Sequence, residues 1–249
     1  MPTLQVVESL ILEKIKNMCG RFTQFAVTKV AKALQLEIID LLPRYNVAPS
    51  QPVAAIVQMP ETDRRSWLWL RWGLIPSWAK DPAIGTSTTL SNHYKLINAR
   101  SETVAEKPSF RYAFKHRRCL IPTNGFYEWQ RLEGKKGKKQ PYFIGLQNDD
   151  PFTLAGLWER WESKEGDTLE TCTILTTEAN ELVSPIHDRM PVILQPQDYD
   201  RWLDPNFKQN DKLQGLLKPY AAAAMKAYPV SIMVNSPKND RPECSLPLG

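Results

Sequence analysis

The chain has 249 residues, 42% hydrophobic and 24% charged, with 32 Lys and Arg against 27 Asp and Glu for a net charge of +5. Those values exclude a disordered tail, a collagen-like fibre and a coiled coil, and the length suffices for a core without disulfide staples. The mild basicity permits a nucleic-acid partner without requiring one, and no apolar run approaches the roughly 18–20 residues of a bilayer span, so a soluble chain with no membrane partner is expected.

Met1–Asn17 places Leu4, Val7, Leu10, Ile11 and Ile15 at helical spacing among Glu8, Glu13, Lys14 and Lys16, which fits a short amphipathic helix. It lacks the basic start, long apolar stretch and small-residue cleavage site of a secretory signal. Met18-Cys19-Gly20 follows. A methionine before a small residue is what initiator-methionine removal acts on, so Met18 reads either as an internal residue or as a start that would leave Cys19 N-terminal.

A helix is predicted over Ala26–Leu36, where Val27, Val30, Ala31 and Leu34 form one stripe. Short β-like segments follow at Val53–Gln58, Ser66–Trp72, Arg118–Ile121, Phe126–Leu132, Tyr142–Leu146, Thr153–Trp158, Leu169–Thr176 and Met190–Leu194. The clearest hairpin runs from Phe126 to Leu146, and its Lys-rich tip, Gly134 to Lys139, reads as a solvated loop or a phosphate contact. Further helices are predicted near Thr177–Val183, Gln197–Trp202 and Lys218–Lys226, then a strand at Pro229–Val234. The 20 prolines suit many short elements. Strands outnumber helices without alternating with them, which argues against a Rossmann-like sheet. The expected class is α+β, a single domain around a largely antiparallel, barrel-like β-sheet with flanking helices.

Cys19, Cys119, Cys172 and Cys244 form no C-x-x-C pair, and with His93, His116 and His187 they show no metal-ligand spacing, so neither metal nor other cofactor is expected. Cys119 and Cys172 sit in apolar runs and read as buried strand thiols. Nothing marks a secreted disulfide framework, so a cytoplasmic setting is the expectation.

Five segments bring polar groups into apolar or rigid surroundings. Gly125-Phe126-Tyr127-Glu128-Trp129 sets one carboxylate among three aromatics. Desolvation there would push a carboxyl pKa upward, as a general acid–base near neutrality requires, whereas an outward-facing strand Glu would do nothing. In Ser184-Pro185-Ile186-His187-Asp188-Arg189-Met190-Pro191 two prolines bracket a turn. His187 could move protons and Arg189 could hold a phosphate there, or both could be surface decoration. Asn98-Ala99-Arg100-Ser101 reads as a strand end running into a helix start, where Arg100 suits an anion and Asn98 or Ser101 suits a cap. Finally, Arg44-Tyr45-Asn46-Val47-Ala48-Pro49 and Trp72-Gly73-Leu74-Ile75-Pro76-Ser77-Trp78 read as rigid loops presenting aromatic and basic groups. Single-stranded nucleic acid uses that combination, stacking for bases and cations for phosphates.

The order of these motifs along the chain is more specific than any one of them. Met-Cys-Gly-Arg-Phe, Arg-Tyr-Asn-Val-Ala-Pro, Trp-Gly-Leu-Ile-Pro, Asn-Ala-Arg-Ser-Glu-Thr, Arg-Cys-Leu-Ile-Pro-x-x-Gly-Phe-Tyr-Glu-Trp and Ile-His-Asp-Arg-Met-Pro occur in series. From Met18 onward the chain resembles the SOS-response-associated peptidase family, abasic-site processing proteins that crosslink to damaged single-stranded DNA. The resemblance implies a domain over residues 18–249, with 1–17 a leader or misassigned start. It makes Cys19 the N-terminal nucleophile, whose α-amine and thiol close a thiazolidine on the ring-opened abasic sugar. Glu128, His187 and Asn98 are implied as the groups that assist ring opening, shuttle protons and hold the sugar. Arg21, Arg100 and Arg189 are implied as phosphate grips, with Arg44 beside them. Trp72 and Trp78 are implied as a wedge or stacking wall, and Lys107 and Arg111 as a further basic contact. The implied partner is single-stranded DNA containing abasic sites, met by a monomer that associates with the nucleoid when engaged. A cysteine peptidase using Cys19 with Glu128 and His187, and a non-catalytic single-stranded-DNA module, are the competing readings. While Met1–Met18 stays attached, the Cys19 nitrogen is an amide and cannot form a Schiff base.

Overall fold

The computed structural model describes residues 20–59, 64–80, 96–132, 134 and 137–248. Among them the strands are β1 (Arg21–Gln24), β2 (Arg44–Val47), β3 (Pro52–Gln58), β4 (Arg65–Trp72), β5 (Asn98–Arg100), β6 (Arg118–Thr123), β7 (Gly125–Arg131), β8 (Lys139–Leu146), β9 (Phe152–Glu162), β10 (Thr168–Glu178), β11 (Arg189–Pro191), β12 (Ile193–Leu194) and β13 (Met225–Pro229). The helices are short: α1 (Thr28–Ala33), α2 (Arg111–His116), α3 (Tyr199–Leu203) and α4 (Asn210–Gln214).

Strands β10, β4, β3, β6 and β9 pair in that order, and β9 pairs back onto β10, which closes a five-strand barrel. All contacts in the ring are antiparallel except β4 with β10. The expected α+β domain around a largely antiparallel, barrel-like sheet is therefore what the chain forms. Alternation along the strands sorts the side chains. Ala55, Val57, Leu70, Trp72, Cys119, Ile121, Trp158, Cys172 and Ile174 fill the barrel, while Ile56, Leu120, Leu157 and Leu175 face outward under Phe114, Trp202 and Leu213 of the helices. Cys119 and Cys172 are buried strand thiols, as their surroundings in sequence suggested.

A second sheet, ordered β13–β8–β7–β1–β2, lies against the barrel and adds Phe22, Val47, Phe126 and Ile144 to the same core. Gln24 ties the two together from within. Its side-chain amide donates to the carbonyls of Ala54 (2.8 Å) and Pro122 (2.9 Å) and accepts from the Ala54 N–H (2.9 Å). At Gly125 the sheet leaves no room for a side chain, since a Cβ there would lie 2.2 Å from Phe143 Cζ.

Three local expectations fail. Thr177 and Glu178 continue β10, and the chain then turns at residues 181–186, so no helix covers Thr177–Val183. The Ala-rich stretch at 218–226 gives a single 3-10 turn (Ala222–Ala224) before β13, which pairs with β8. The predicted strand at Pro229–Val234 lies one element early in the chain as β13, and Ile232–Asn235 is a 3-10 turn. In each case strand pairing or turn hydrogen bonding overrides a weak local propensity.

Candidate active site

Strand β1 pairs with β7 in the register Arg21↔Tyr127, Phe22↔Phe126. One step further along that register sets Gly20 opposite Glu128. Phe22 and Phe126 point into the core, so Glu128, two residues beyond Phe126 on the same side, is drawn in with them and is 1% exposed. The expected enclosure of this carboxylate among aromatics is realised. Gly20, Arg21, Pro49, Ile97, Glu128, Trp129, His187 and Asn235 line an open cleft of ≈ 520 Å³. Cys19 lies outside the described residues. Its peptide bond to Gly20 ends on the wall of this cleft.

His187 reaches the cleft from the turn after β10. The Asn180 side chain accepts from the Val183 N–H (3.0 Å), and the Val183 carbonyl accepts from the N–H groups of Ile186 (2.8 Å) and His187 (2.9 Å). The ring is 9% exposed, and its Nδ1 accepts from the Arg189 N–H at 3.1 Å while standing 3.1 Å from Asp188 Oδ1. A neutral imidazole uses the first contact through its lone pair. An imidazolium uses the second as a donor. The two contacts share one nitrogen and exclude each other, so Nδ1 accepts from the backbone or donates to Asp188.

Arg21 is fixed by three acceptors: Asn46 Oδ1 (3.0 Å) and the carbonyls of Val234 (2.6 Å) and Asn235 (3.1 Å). Asn46, fully buried, also donates to the carbonyls of Val234 (3.1 Å), Ser236 (3.0 Å) and Asn239 (2.7 Å). Asp240 accepts from the Asn46 N–H (2.9 Å) and pairs with Arg44, whose other end donates to Gln51 Oε1 (2.7 Å). The loop at 234–240 is clamped this way, and it presents Asn235 to the cleft and to Trp129, whose Nε1 donates to Asn235 Oδ1 at 2.7 Å. Asn46 stands inside a quoted motif, but nothing local in the sequence pointed to Asp240 or Asn235.

The remaining expected residues separate into groups. Asn98 is half-buried on β5, next to Ile97 of the cleft wall, and pairs with Ile174 of β10 just beyond the end of β4. Arg100 is exposed at the end of that strand. Arg189 is bound by Glu102, a bidentate pair with Nη2–Oε2 at 2.9 Å, and by the Thr176 carbonyl at 2.7 Å. Arg44 is held in the Asp240 clamp, so its role in the free protein is structural. Lys107 and Arg111 are exposed at the start of α2, with the Arg111 N–H on the Lys107 carbonyl, and neither lines the cleft. Trp78 is 62% exposed and available for stacking. Trp72 is not. It is 0% exposed, packs edge-on against Phe22 and donates from Nε1 to the Ile97 carbonyl at 2.9 Å. The expectation that Trp72 forms a stacking wall is therefore corrected. As the last residue of β4 with its side chain inside the barrel, it supports the cleft from beneath.

Among the described residues no cluster of three or more His, Cys, Asp or Glu is arranged to hold a metal ion, and no helix is long and apolar enough to cross a membrane.

Comparison with known proteins places the chain. It is 48% identical over 231 residues to the abasic site processing protein YoqW of Bacillus subtilis, an alignment covering 91% of this chain and 98% of that one. It is 36% identical over 235 residues to the abasic site processing protein HMCES of Gallus gallus, covering 83% of this chain and 66% of that one. A crystal structure of a protein from Bacteroides thetaiotaomicron superposes with a TM-score of 0.70 at 28% identity, covering 93% of this chain and 97% of that one. The sequence profile of the SOS response associated peptidase family matches residues 18–237. With the motifs in series and the cleft they build, this shows that the chain belongs to the SOS response associated peptidase (SRAP) family.

Proposed function

We propose that this protein captures abasic sites in single-stranded DNA through a covalent bond to Cys19, once the residues before it are absent. The observation that carries this reading is the cleft shared by Gly20, Arg21, Glu128 and His187. Gly20, to which Cys19 is bonded, thereby shares a cleft wall with an enclosed carboxylate and a histidine.

The chemistry follows from having an amine and a thiol on adjacent carbons. A free α-amine has a pKa near 7.7–8.0 and is partly neutral at physiological pH. It adds to the C1′ aldehyde of the ring-opened sugar, and loss of water gives an imine. The thiolate then adds to the imine carbon, and its proton ends on nitrogen, closing a five-membered thiazolidine. One water is released, and neither oxidant nor cofactor enters. Glu128 is suited to the proton transfer of sugar ring opening, and His187 to protonating the departing oxygen and reversing the step. Arg21 and Arg100 offer charge to the flanking phosphates, and Trp78 a face for a neighbouring base. An abasic site has no base to stack, so a bond supplies persistence that +5 of net charge does not.

The test is incubation with a single strand carrying one abasic site, followed by a denaturing gel. A heat-stable adduct is expected from protein beginning at Cys19. Its absence, with peptide turnover in its place, would favour the peptidase reading.

A further inference from the structure

Arg189 follows His187 by two residues and is one of the cations the DNA-capture reading assigns to phosphate, yet its guanidinium is already engaged. Glu102 takes the terminal edge through Nη1 and Nη2, and the Thr176 carbonyl takes the second hydrogen of Nη2. Of the five N–H groups, that leaves Nε, buried with no hydrogen-bond partner, and one hydrogen of Nη1. These two point from opposite edges, so no edge with two free donors remains for a phosphate. A nucleic-acid phosphate can be gripped bidentately by Arg189 only if the Glu102 carboxylate leaves.

Glu102 is able to leave. Its side chain is 50% exposed, against 11% for Arg189, so the carboxylate can swing into water while the guanidinium stays fixed by Thr176. Glu102 also feels the positive charge of Arg100, so its carboxylate lowers the positive field at a second expected phosphate contact without pairing with it.

We propose that Glu102 is a stand-in for a DNA phosphate: its carboxylate holds Arg189 until a backbone phosphate displaces it, which keeps the noncovalent grip on undamaged single strands weak. The proposal rests on the reading of Arg189 as a phosphate contact. Its consequence is specificity. The exchange lowers the affinity for intact and abasic strands alike, but only the abasic strand goes on to a covalent bond. A weak grip on intact DNA therefore sharpens the discrimination that the chemistry provides. Glu102 acts through Arg189 and is a positioning residue.

The test compares wild type, Glu102→Gln, Arg189→Gln and the double variant, binding a fluorescein-labelled undamaged oligothymidylate by anisotropy across a salt series. Glu102→Gln is expected to bind about two- to fivefold more tightly at low salt, the range of a partly exposed ion pair. Its log–log salt slope should steepen by roughly 0.7, as for one more phosphate neutralised on a single strand. On the Arg189→Gln background most of the gain should be lost, leaving only what the removal of one negative charge near Arg100 gives. Equal or weaker binding by Glu102→Gln, or a gain undiminished without Arg189, would overturn the proposal. Glu102→Ala must move in the same direction, which guards against a defect peculiar to the amide. Adduct formation on an abasic strand is scored separately with protein beginning at Cys19. A binding gain without any adduct would sink the capture reading and leave the exchange standing. An adduct without the gain would do the reverse.

Discussion

Three of the four cysteines are made inert by their surroundings, and that defines what a thiol reagent will find. Burial inside the barrel pushes the Cys119 thiol well up, with the nearby Cys172 adding to it, and burial alone pushes Cys172 up. Cys244 is buried as well. Burial denies a reagent access to all three, so iodoacetamide under native conditions is expected to leave them unmodified. Peptide mass mapping before and after denaturation checks this, and native labelling of Cys119 or Cys172 would contradict the closed barrel. At the cleft, Glu128→Gln should slow adduct formation by roughly 10²-fold or more, the usual worth of a positioned acid–base group, while binding to an undamaged strand changes little. Single-turnover kinetics separate the two. Glu128 and His187 were legible in sequence because a lone carboxylate among aromatics and a proline-bracketed histidine are each unusual. Trp72 was misread because a motif gives residue type and order, and direction is settled only by the barrel interior that takes the indole. The pairing of Arg44 was illegible for a related reason, since Asp240 lies 196 residues along the chain from it.

Among the elements, the short strands flanking the cleft are the ones the sequence hid. β1 and β2 are RFTQ and RYNV, four residues each, half polar and without long alternation. They become strands because β7 offers β1 a paired edge and because Asn46 and Gln24 find buried partners. The longer apolar strands β3, β4 and β6 to β10 were legible because period-two patterning suffices to mark them. Asn46→Ala would remove one partner from three loop carbonyls and from the Arg21 guanidinium, each of which keeps another, and is expected to cost about 1–3 kcal/mol in a denaturant melt. The same change should loosen Asn235 and weaken strand binding. Arg118 plays a comparable part behind the barrel. It is buried, and desolvation, partly offset by the charge of Asp204, holds its pKa down to about 10. It donates to the carbonyls of Phe114 (2.7 Å), Lys115 (2.9 Å), Trp202 (2.6 Å) and Phe207 (3.1 Å) and to that of Asp204, so one side chain closes the ends of α2 and α3. Arg118→Met is expected to destabilise by about 3 kcal/mol or more, because the orphaned carbonyls stay buried. A loss under 1 kcal/mol would refute that role.

Over the whole molecule, the sheets and the ion pairs set how stability follows pH. The Glu102 carboxyl is lowered on balance: desolvation by burial works against this, but the hydrogen bond and charge of Arg189 and the charge of Arg100 outweigh it. A lowered carboxylate contributes stability that is full above its unfolded value near 4.5 and is lost as pH falls through the folded value. Thermal melts from pH 6 down to pH 3 should therefore show a shallower acid limb for Glu102→Gln than for wild type. The fold class and its barrel-like sheet were legible from strand-rich patterning, but the strand order that closes the ring was not, since it depends on β9 meeting β10 and on the single parallel contact of β4 with β10. The central claim concerns one nitrogen, that of Cys19, presented at a cleft the rest of the chain builds. The most direct measurement is intact mass of the protein mixed with a single strand containing one abasic site, for chain beginning at Cys19, for chain retaining residues 1–18, and for Cys19→Ala. The account predicts a species at the sum of protein and strand less one water for the first and none for the other two. An adduct from chain that keeps residues 1–18, or from Cys19→Ala, would contradict it.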